Sequence, residues 1–386
     1  MIPDQIEIVL MMALTAVACS LLGVFLVLKR MALLSDAIGH VLLLGIVVAF
    51  LITGSLRSFS LVLGAALSGL ALTAVVELLS RSRLVKEDAA IGLAFPALFA
   101  LGILLASLYC RNTHLDIDRV FFGIPELAPL QRLDIGVYDM GMLSRWVMTG
   151  MVLINGLFVV LFFKELKITT FDAPLAATLG FMPLLLHYVL LGLVSLTAVT
   201  AFEAVGPVLV VAYMIVPPAT AYLLTDRLGR MLWLSALIGA IGATIGTLIA
   251  QELDINMAGS VATMLGLMFA ATFIAAPERG LVVQVVRRMR QRQDFFGLMV
   301  LIHLLQHEGT AEEANESREA GLHEHLGWRP GDVRAIVHRV ERRDWVVVND
   351  GLLKLTDAGR NRARQALEGT RAYTEASAPS PGITHA

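Results

Sequence analysis

The sequence predicts an all-α polytopic membrane protein of about nine transmembrane helices (eight to ten fit the pattern), followed by a small cytoplasmic α+β domain. Three observations predict it. The chain is 57% hydrophobic and only 16% charged, with a mean hydropathy of +0.74. A soluble chain of 386 residues needs more polar surface than that. The charges are also unevenly placed: 33 Lys, Arg, Asp and Glu fall within residues 1–286 and 29 within the last 100. Finally, apolar runs of about 20 residues, enough helix to cross roughly 30 Å of hydrocarbon, recur through the first part and stop before the second. The expected organisation is a transmembrane domain over 1–286, a cytoplasmic domain over 287–368 and a disordered tail over 369–386.

The spans are expected near 6–28, 37–53, 59–79, 89–108, 146–163, 182–201, 205–224, 231–250 and 258–276. They are rich in Gly and Ala, which let helices pack closely where no hydrophobic force drives them together. The first run lacks a basic leader and a small-residue cleavage site, so it is read as a span, not a signal peptide. Alternate loops carry the Lys and Arg: Lys29 and Arg30; Arg81, Arg83 and Lys86; Lys164 and Lys167; Arg227 and Arg230; Arg279 and the cluster 287–292. The positive-inside rule puts these in the cytoplasm, with the N-terminus outside and the C-terminal domain inside. The stretch 109–145, with Phe121, Phe122, Gly123 and Ile124, could hold a re-entrant or surface helix.

Ionisable residues inside a bilayer are costly and each needs a reason. Asp36 and His40 are spaced i and i+4, so a helix puts them on one face. A carboxylate and an imidazole there could ligate a divalent transition metal, or could simply hydrogen-bond within the bundle. Glu203 lies between two apolar runs and is expected in a solvated outer turn. Glu77, at a cytoplasmic span end, can snorkel. His187, alone on an apolar helix, suits hydrogen-bonded packing better than ligation. Between the fifth and sixth spans, Asp172 can cap a short helix with Pro174 in its first turn and Gly180 as its stop. Such a helix is either a docking element or a connecting turn.

Five stretches together resemble the permease subunits of metal-ion ABC importers of the zinc/manganese/iron type. They are 22–33 running into Ser35-Asp36-Ala37-Ile38-Gly39-His40; Lys86-Glu87-Asp88-Ala89-Ala90-Ile91-Gly92; 114–123; Lys164-Glu165-Leu166 through Phe171-Asp172 to Leu179-Gly180; and 205–212 with 217–221. They run in family order over residues 6–280. The resemblance implies a permease that passes manganese, iron or zinc into the cytoplasm across the cytoplasmic membrane, with no permanently bound cofactor. The implied partners are an ABC ATPase subunit, an extracytoplasmic metal-binding protein and a second permease subunit, identical or not. It implies that Asp36 and His40 face the path, and that Lys164, Glu165, Phe171, Asp172, Pro174, Leu179 and Gly180 belong to the ATPase-contacting element. The family often has Ser where this chain has Gly39, a departure that removes neither candidate ligand. No Walker motif or nucleophile–base constellation occurs, so the chain is expected to be no enzyme. The alternative is a secondary metal transporter or channel with a cytoplasmic metal-sensing domain. Nine spans are too many for a mere anchor of a DNA-binding sensor.

In the C-terminal domain the pattern predicts helices over 294–307, 312–326 and 330–343, a hairpin around Asn349-Asp350-Gly351, and a last helix from Thr356 to about Leu367. That order looks like the winged-helix domain of iron- or manganese-dependent repressors. Its third helix presents Arg334, His338, Arg339, Arg342 and Arg343, which in such a repressor would enter a major groove. The whole tail, however, carries only 15 basic against 14 acidic residues, so nucleic acid is not the expected partner. His303 and His307, i and i+4, and the nearby His323 and His325 could form a regulatory metal site or stand solvated. Cys19 and Cys110 make no CxxC motif and offer at most one disulfide.

Overall fold

The computed structural model describes residues 3–54, 58–82, 84–109, 125, 128, 132–135, 138–310, 312–319, 321–322 and 330–377. Among these, nine helices are long and apolar enough to cross a membrane: α1 (Pro3–Leu28), α2 (Ala32–Thr53), α3 (Ser58–Arg81), α4 (Glu87–Tyr109), α5 (Leu143–Leu161), α8 (Pro183–Val205), α9 (Pro207–Leu224), α10 (Leu228–Leu253) and α11 (Met257–Ala275). Two short helices, α6 (Phe163–Phe171) and α7 (Ala173–Thr178), link α5 to α8. The chain divides into two compact units, Met1–Leu281 and Val282–Ala386.

In the first unit α1 is the hub, packed against α5, α8, α9 and α10. The others group around it: α2 lies on α3 and α4, α3 on α8, and α11 on α9 and α10. Small residues permit the closest approaches. Gly45 of α2 and Gly64 of α3 meet backbone to backbone, and a Cβ on either would strike the other's carbonyl. Gly23 of α1 backs onto the Met214 carbonyl of α9. Pro218, four residues on, has no N–H to give that carbonyl, and its ring also lies 3.0 Å from where a Cβ at Gly23 would be.

Polar side chains stitch the helices together. Asn155 of α5, fully buried, donates to the Ala18 carbonyl at 3.2 Å and to Thr197 Oγ1 at 2.9 Å, joining α1, α5 and α8. Ser195 of α8 donates to the Ala66 carbonyl of α3 at 3.0 Å. Ser260 of α11 donates to the Gly246 carbonyl of α10 at 2.8 Å. Each such bond is worth roughly 0.6 kcal/mol inside a bilayer.

Several span limits differ from expectation. α2 begins at Ala32 rather than near 37, because a tight turn with Arg30 at φ 62° feeds straight into it. Ser35 and Asp36 mask its start in a hydropathy reading, yet the Ser35 hydroxyl donates to the Ala32 carbonyl at 2.8 Å and stays within the helix. α8 runs to Val205, so Glu203 lies in its last turn and not in an outer loop. Within 109–145, the described residues include an antiparallel hairpin, β1 (Arg132–Ile135) with β2 (Tyr138–Met142). Arg145 Nη1 and the Met142 amide both donate to the Glu7 carboxylate, at 3.0 and 3.2 Å, tying this hairpin's end to the start of α1. Phe121 to Ile124, in the stretch that could hold a re-entrant or surface helix, lie outside the described residues, as do residues 114–123.

The second unit holds α12 (Leu281–His307), α13 (Glu313–Glu316), α14 (Pro330–Arg342), β3 (Val346–Asn349), β4 (Leu352–Leu355) and α15 (Asp357–Ser377). Its core sets Val300, Leu301 and Leu304 of α12 against Val333, Ile336, Val337 and Val340 of α14, with Val346, Leu353 and Leu355 from the hairpin. Asp350 (φ 50°) and Gly351 (φ 76°) form the turn, the doubly left-handed geometry that a two-residue hairpin loop prefers. The helix expected over 312–326 does not run through. The backbone at Ser317–Glu319 instead pairs with the hairpin: Leu353 N donates to Ser317 O at 2.8 Å and Glu319 N to Gly351 O at 3.1 Å. Hairpin partners outcompete a weak helix there. α12 starts well ahead of 294, and α15 continues to Ser377, so 369–377, expected disordered, is helical.

Candidate functional site

α2 is largely buried between Leu34 and Val47 and exposed at Leu33, Leu51 and Ile52. Leu34, Ser35, Ala37, Ile38, Gly39 and Val41 are all buried, whereas Asp36 and His40 are about half exposed. Their Oδ1 and Nε2 atoms lie 3.7 Å apart. Ile38, between them, packs at Gly69, which also abuts Ser195. Gly69 and Ser195 sit midway along α3 and α8, and Asp36 and His40, in the first three turns of α2, flank the residue that meets them. A carboxylate within a membrane helix cannot cheaply face hydrocarbon. This face therefore belongs against water or against more protein.

Two rings from α4 hold the imidazole. His40 stacks on Phe95 at 5.7 Å between centroids with planes 29° apart, and meets Phe99 edge-on at 5.7 Å. Behind the pair, a Cβ at Gly39 would come within 2.9 Å of Phe202 Cζ. The residue flanked by both candidate ligands is thus small because α8 presses on it. Sequence reading missed Phe95 and Phe99. Their i, i+4 spacing around Pro96 was the available signal.

The pair offers one oxygen and one nitrogen, a partial shell that can replace some of an ion's water without trapping it. Among the described residues no hydrogen bond or ion pair ties Glu203 to this pair, although its neighbour Phe202 packs behind Gly39. Glu77 is spoken for by Arg81, at 2.6 Å. His187 Nδ1 accepts from Lys29 Nζ at 3.4 Å, a packing role in keeping with its sequence context.

The link between α5 and α8 is built as its sequence suggests, but as two helices instead of one. Asp172 ends α6 and caps α7, its Oδ1 accepting from Leu175 N at 2.9 Å, with Pro174 in the first turn. Gly180, at φ 85°, stops it. Leu166 and Ala176 anchor the pair by burial, while Phe171, Leu175 and Leu179 expose large apolar side chains and Lys164, Asp172 and Pro174 are exposed beside them. Glu165 is half-buried.

In the second unit the basic residues of α14, and Arg343 just beyond it, are partly engaged at home. Arg339 donates to Gln293, Arg343 pairs with Asp294 at 2.9 Å and lies over the Trp345 ring, and His338 faces Glu341 at 3.6 Å. Arg334 and Arg342 are exposed. His303 and His307 come together with Glu316; His323 and His325 lie outside the described residues. Arg360 of α15 is held by Glu308 at 2.8 Å, and that hydrogen bond raises its pKa further.

The profile of the ABC 3 transport family matches residues 5–276, which takes in every membrane helix. The chain belongs to the ABC 3 transport family. It is a permease component of an ABC transport system and a multi-pass membrane protein. It is 42% identical over 363 residues to the zinc transport system membrane protein TroD of Treponema pallidum, covering 94% of this chain and 98% of that one. It is 44% identical over 284 residues to the manganese transport system membrane protein MntD of Bacillus subtilis, covering 74% of this chain and 96% of that one. Among solved structures it is similar to PsaBC from Streptococcus pneumoniae in complex with Fab, with a TM-score of 0.58 and 28% identity over 71% of this chain and 92% of that one. The TroD match reaches into the second unit. The MntD match uses up almost all of MntD, which leaves no room there for such a unit.

Proposed function

We propose that this chain is the permease subunit of an importer that carries manganese, iron or zinc into the cytoplasm, with Asp36 and His40 as ligands along the path. The observation that carries the reading is the placement of that pair: two donor groups, half exposed, within the membrane helix α2, in a stretch from Leu34 to Val47 that is otherwise largely buried. A divalent ion needs such groups in exchange for hydration water. Two ligands per subunit let the ion leave again. A second permease subunit set against this face of α2 would shield it from lipid and complete the path. The metals named for TroD and MntD are in keeping with nitrogen and oxygen ligands.

The energy would come from a separate ABC ATPase subunit, and the ion from an extracytoplasmic metal-binding protein. The exposed apolar trio Phe171, Leu175 and Leu179, beside Lys164, Asp172 and Pro174, suits docking of the ATPase. The basic loops then lie in the cytoplasm, with the N-terminus outside and the second unit inside. That unit is read as an accessory to transport, since the 284 residues matched to MntD make up 96% of that protein. The test is metal uptake by vesicles holding the permease with its ATPase, with manganese, zinc and iron in competition. Asp36→Asn and His40→Ala should each cut uptake while the complex still assembles. Normal uptake by both variants would sink the assignment.

A further inference from the structure

We propose that His303, His307 and Glu316 form a second metal site, in the C-terminal unit, for a divalent first-row transition-metal ion. His303 and His307 lie one turn apart on α12, with ring centroids 4.8 Å apart. Glu316 reaches them from the end of α13, placing its Oε2 3.3 Å from His303 Nε2. One nitrogen from each histidine and one oxygen from the glutamate lie within 4.8 Å of one another. An ion held at about 2.0–2.2 Å puts tetrahedral ligand atoms roughly 3.4 Å apart. The His303–Glu316 pair already has that separation, and the His307 nitrogen, within 4.8 Å of both, has at most about 1.4 Å to close.

The surroundings suit reversible binding. His303 and Glu316 are only 13% and 17% exposed, so their positions are held. Three protein ligands leave a coordination position for water, which distinguishes the site from a closed structural cage. Two imidazoles and a carboxylate favour zinc, iron, nickel or copper(II) over calcium and magnesium, with manganese the weakest binder of the transition series. The position also has a mechanical consequence. Glu316 is followed directly by Ser317–Glu319, whose backbone pairs with the β3–β4 hairpin. An ion would therefore clamp α12 to the hairpin edge of the unit. The site shares no residue with Asp36 and His40 and does not depend on their role.

The competing explanation is a plain hydrogen bond, since His303 Nε2 also lies 3.3 Å from the Glu316 carbonyl oxygen. The two differ in metal affinity. Full-length protein in detergent is dialysed to equilibrium against Zn²⁺, and in parallel against Co²⁺ as a spectroscopic probe. The unaltered chain should bind one more ion than the His303→Ala, His307→Ala double variant. Glu316→Gln keeps the size and a hydrogen-bonding group. It should weaken that site by more than the roughly tenfold that even outer-shell changes cost, so it decides the matter should the double variant fold poorly. Zn²⁺ should slow amide exchange across 303–319 in the unaltered chain and not in the variants. Asp36→Asn with His40→Ala should keep both the extra ion and the protection, whatever it does to transport. Equal stoichiometry and affinity in all forms, or no protection at 303–319, would overturn the proposal.

Discussion

Replacing Gly39 with Ala should disturb the candidate path without touching either candidate ligand. The new Cβ would lie 2.9 Å from Phe202 Cζ. Carbon atoms prefer about 3.5–4.0 Å, so the Phe202 ring or α2 must retreat by about 0.6–1.1 Å. Phe202 is buried and cannot simply swing into solvent. Overpacking of this kind costs about 1–3 kcal/mol. Part of the shift falls on α2, and so on Asp36 and His40, which are within a turn of the contact. The variant should therefore melt at a lower temperature in detergent and also transport more slowly. Phe202→Leu makes room, so the double variant should recover both properties. The cycle of four proteins should give a coupling energy in the roughly 0.5–3 kcal/mol range seen for residues in contact. Additive effects, or a Gly39→Ala protein that melts and transports normally, would show that α8 does not press on α2 there.

Two further outcomes follow from the same structure. Leu175→Glu, or Gly substitutions across Pro174–Thr178, should weaken co-purification of the ATPase or let hydrolysis run without uptake; unchanged coupling ratios would reject α6–α7 as the docking element. A stop after Gly280 removes α12 and the whole second unit but keeps all nine described membrane helices. Transport should persist, measured as vesicle uptake, whereas a truncated chain that neither folds nor transports would make that unit structural.

Some of this architecture is local and follows from short stretches of the chain. Nine runs of about 20 apolar residues have no stable place in water, so the membrane helices follow from hydropathy alone. The Asp172–Pro174–Gly180 punctuation specifies a cap, a first turn and a stop within nine residues, and the structure has all three. The i, i+4 spacing of Asp36 and His40 put them on one face for the same reason. The Asn349-Asp350-Gly351 turn carries its own backbone preference, and the hairpin formed there.

Only the tertiary structure could decide the rest, because it depends on which surfaces meet. That Asp36 and His40 stay half exposed comes from where α3, α4 and α8 meet α2. Phe95 and Phe99 reach His40 from a helix some 55 residues along the chain. Glu203 joined a helix because α8 extends through the boundary that hydropathy suggested. The helix expected over 312–326 gave way at Ser317 because a hairpin 35 residues later offered better partners for its backbone. Glu316 thereby came to rest against His303, a meeting no periodicity announces. Local pattern sets what each segment can form. Long-range packing selects which polar groups end up sharing a site.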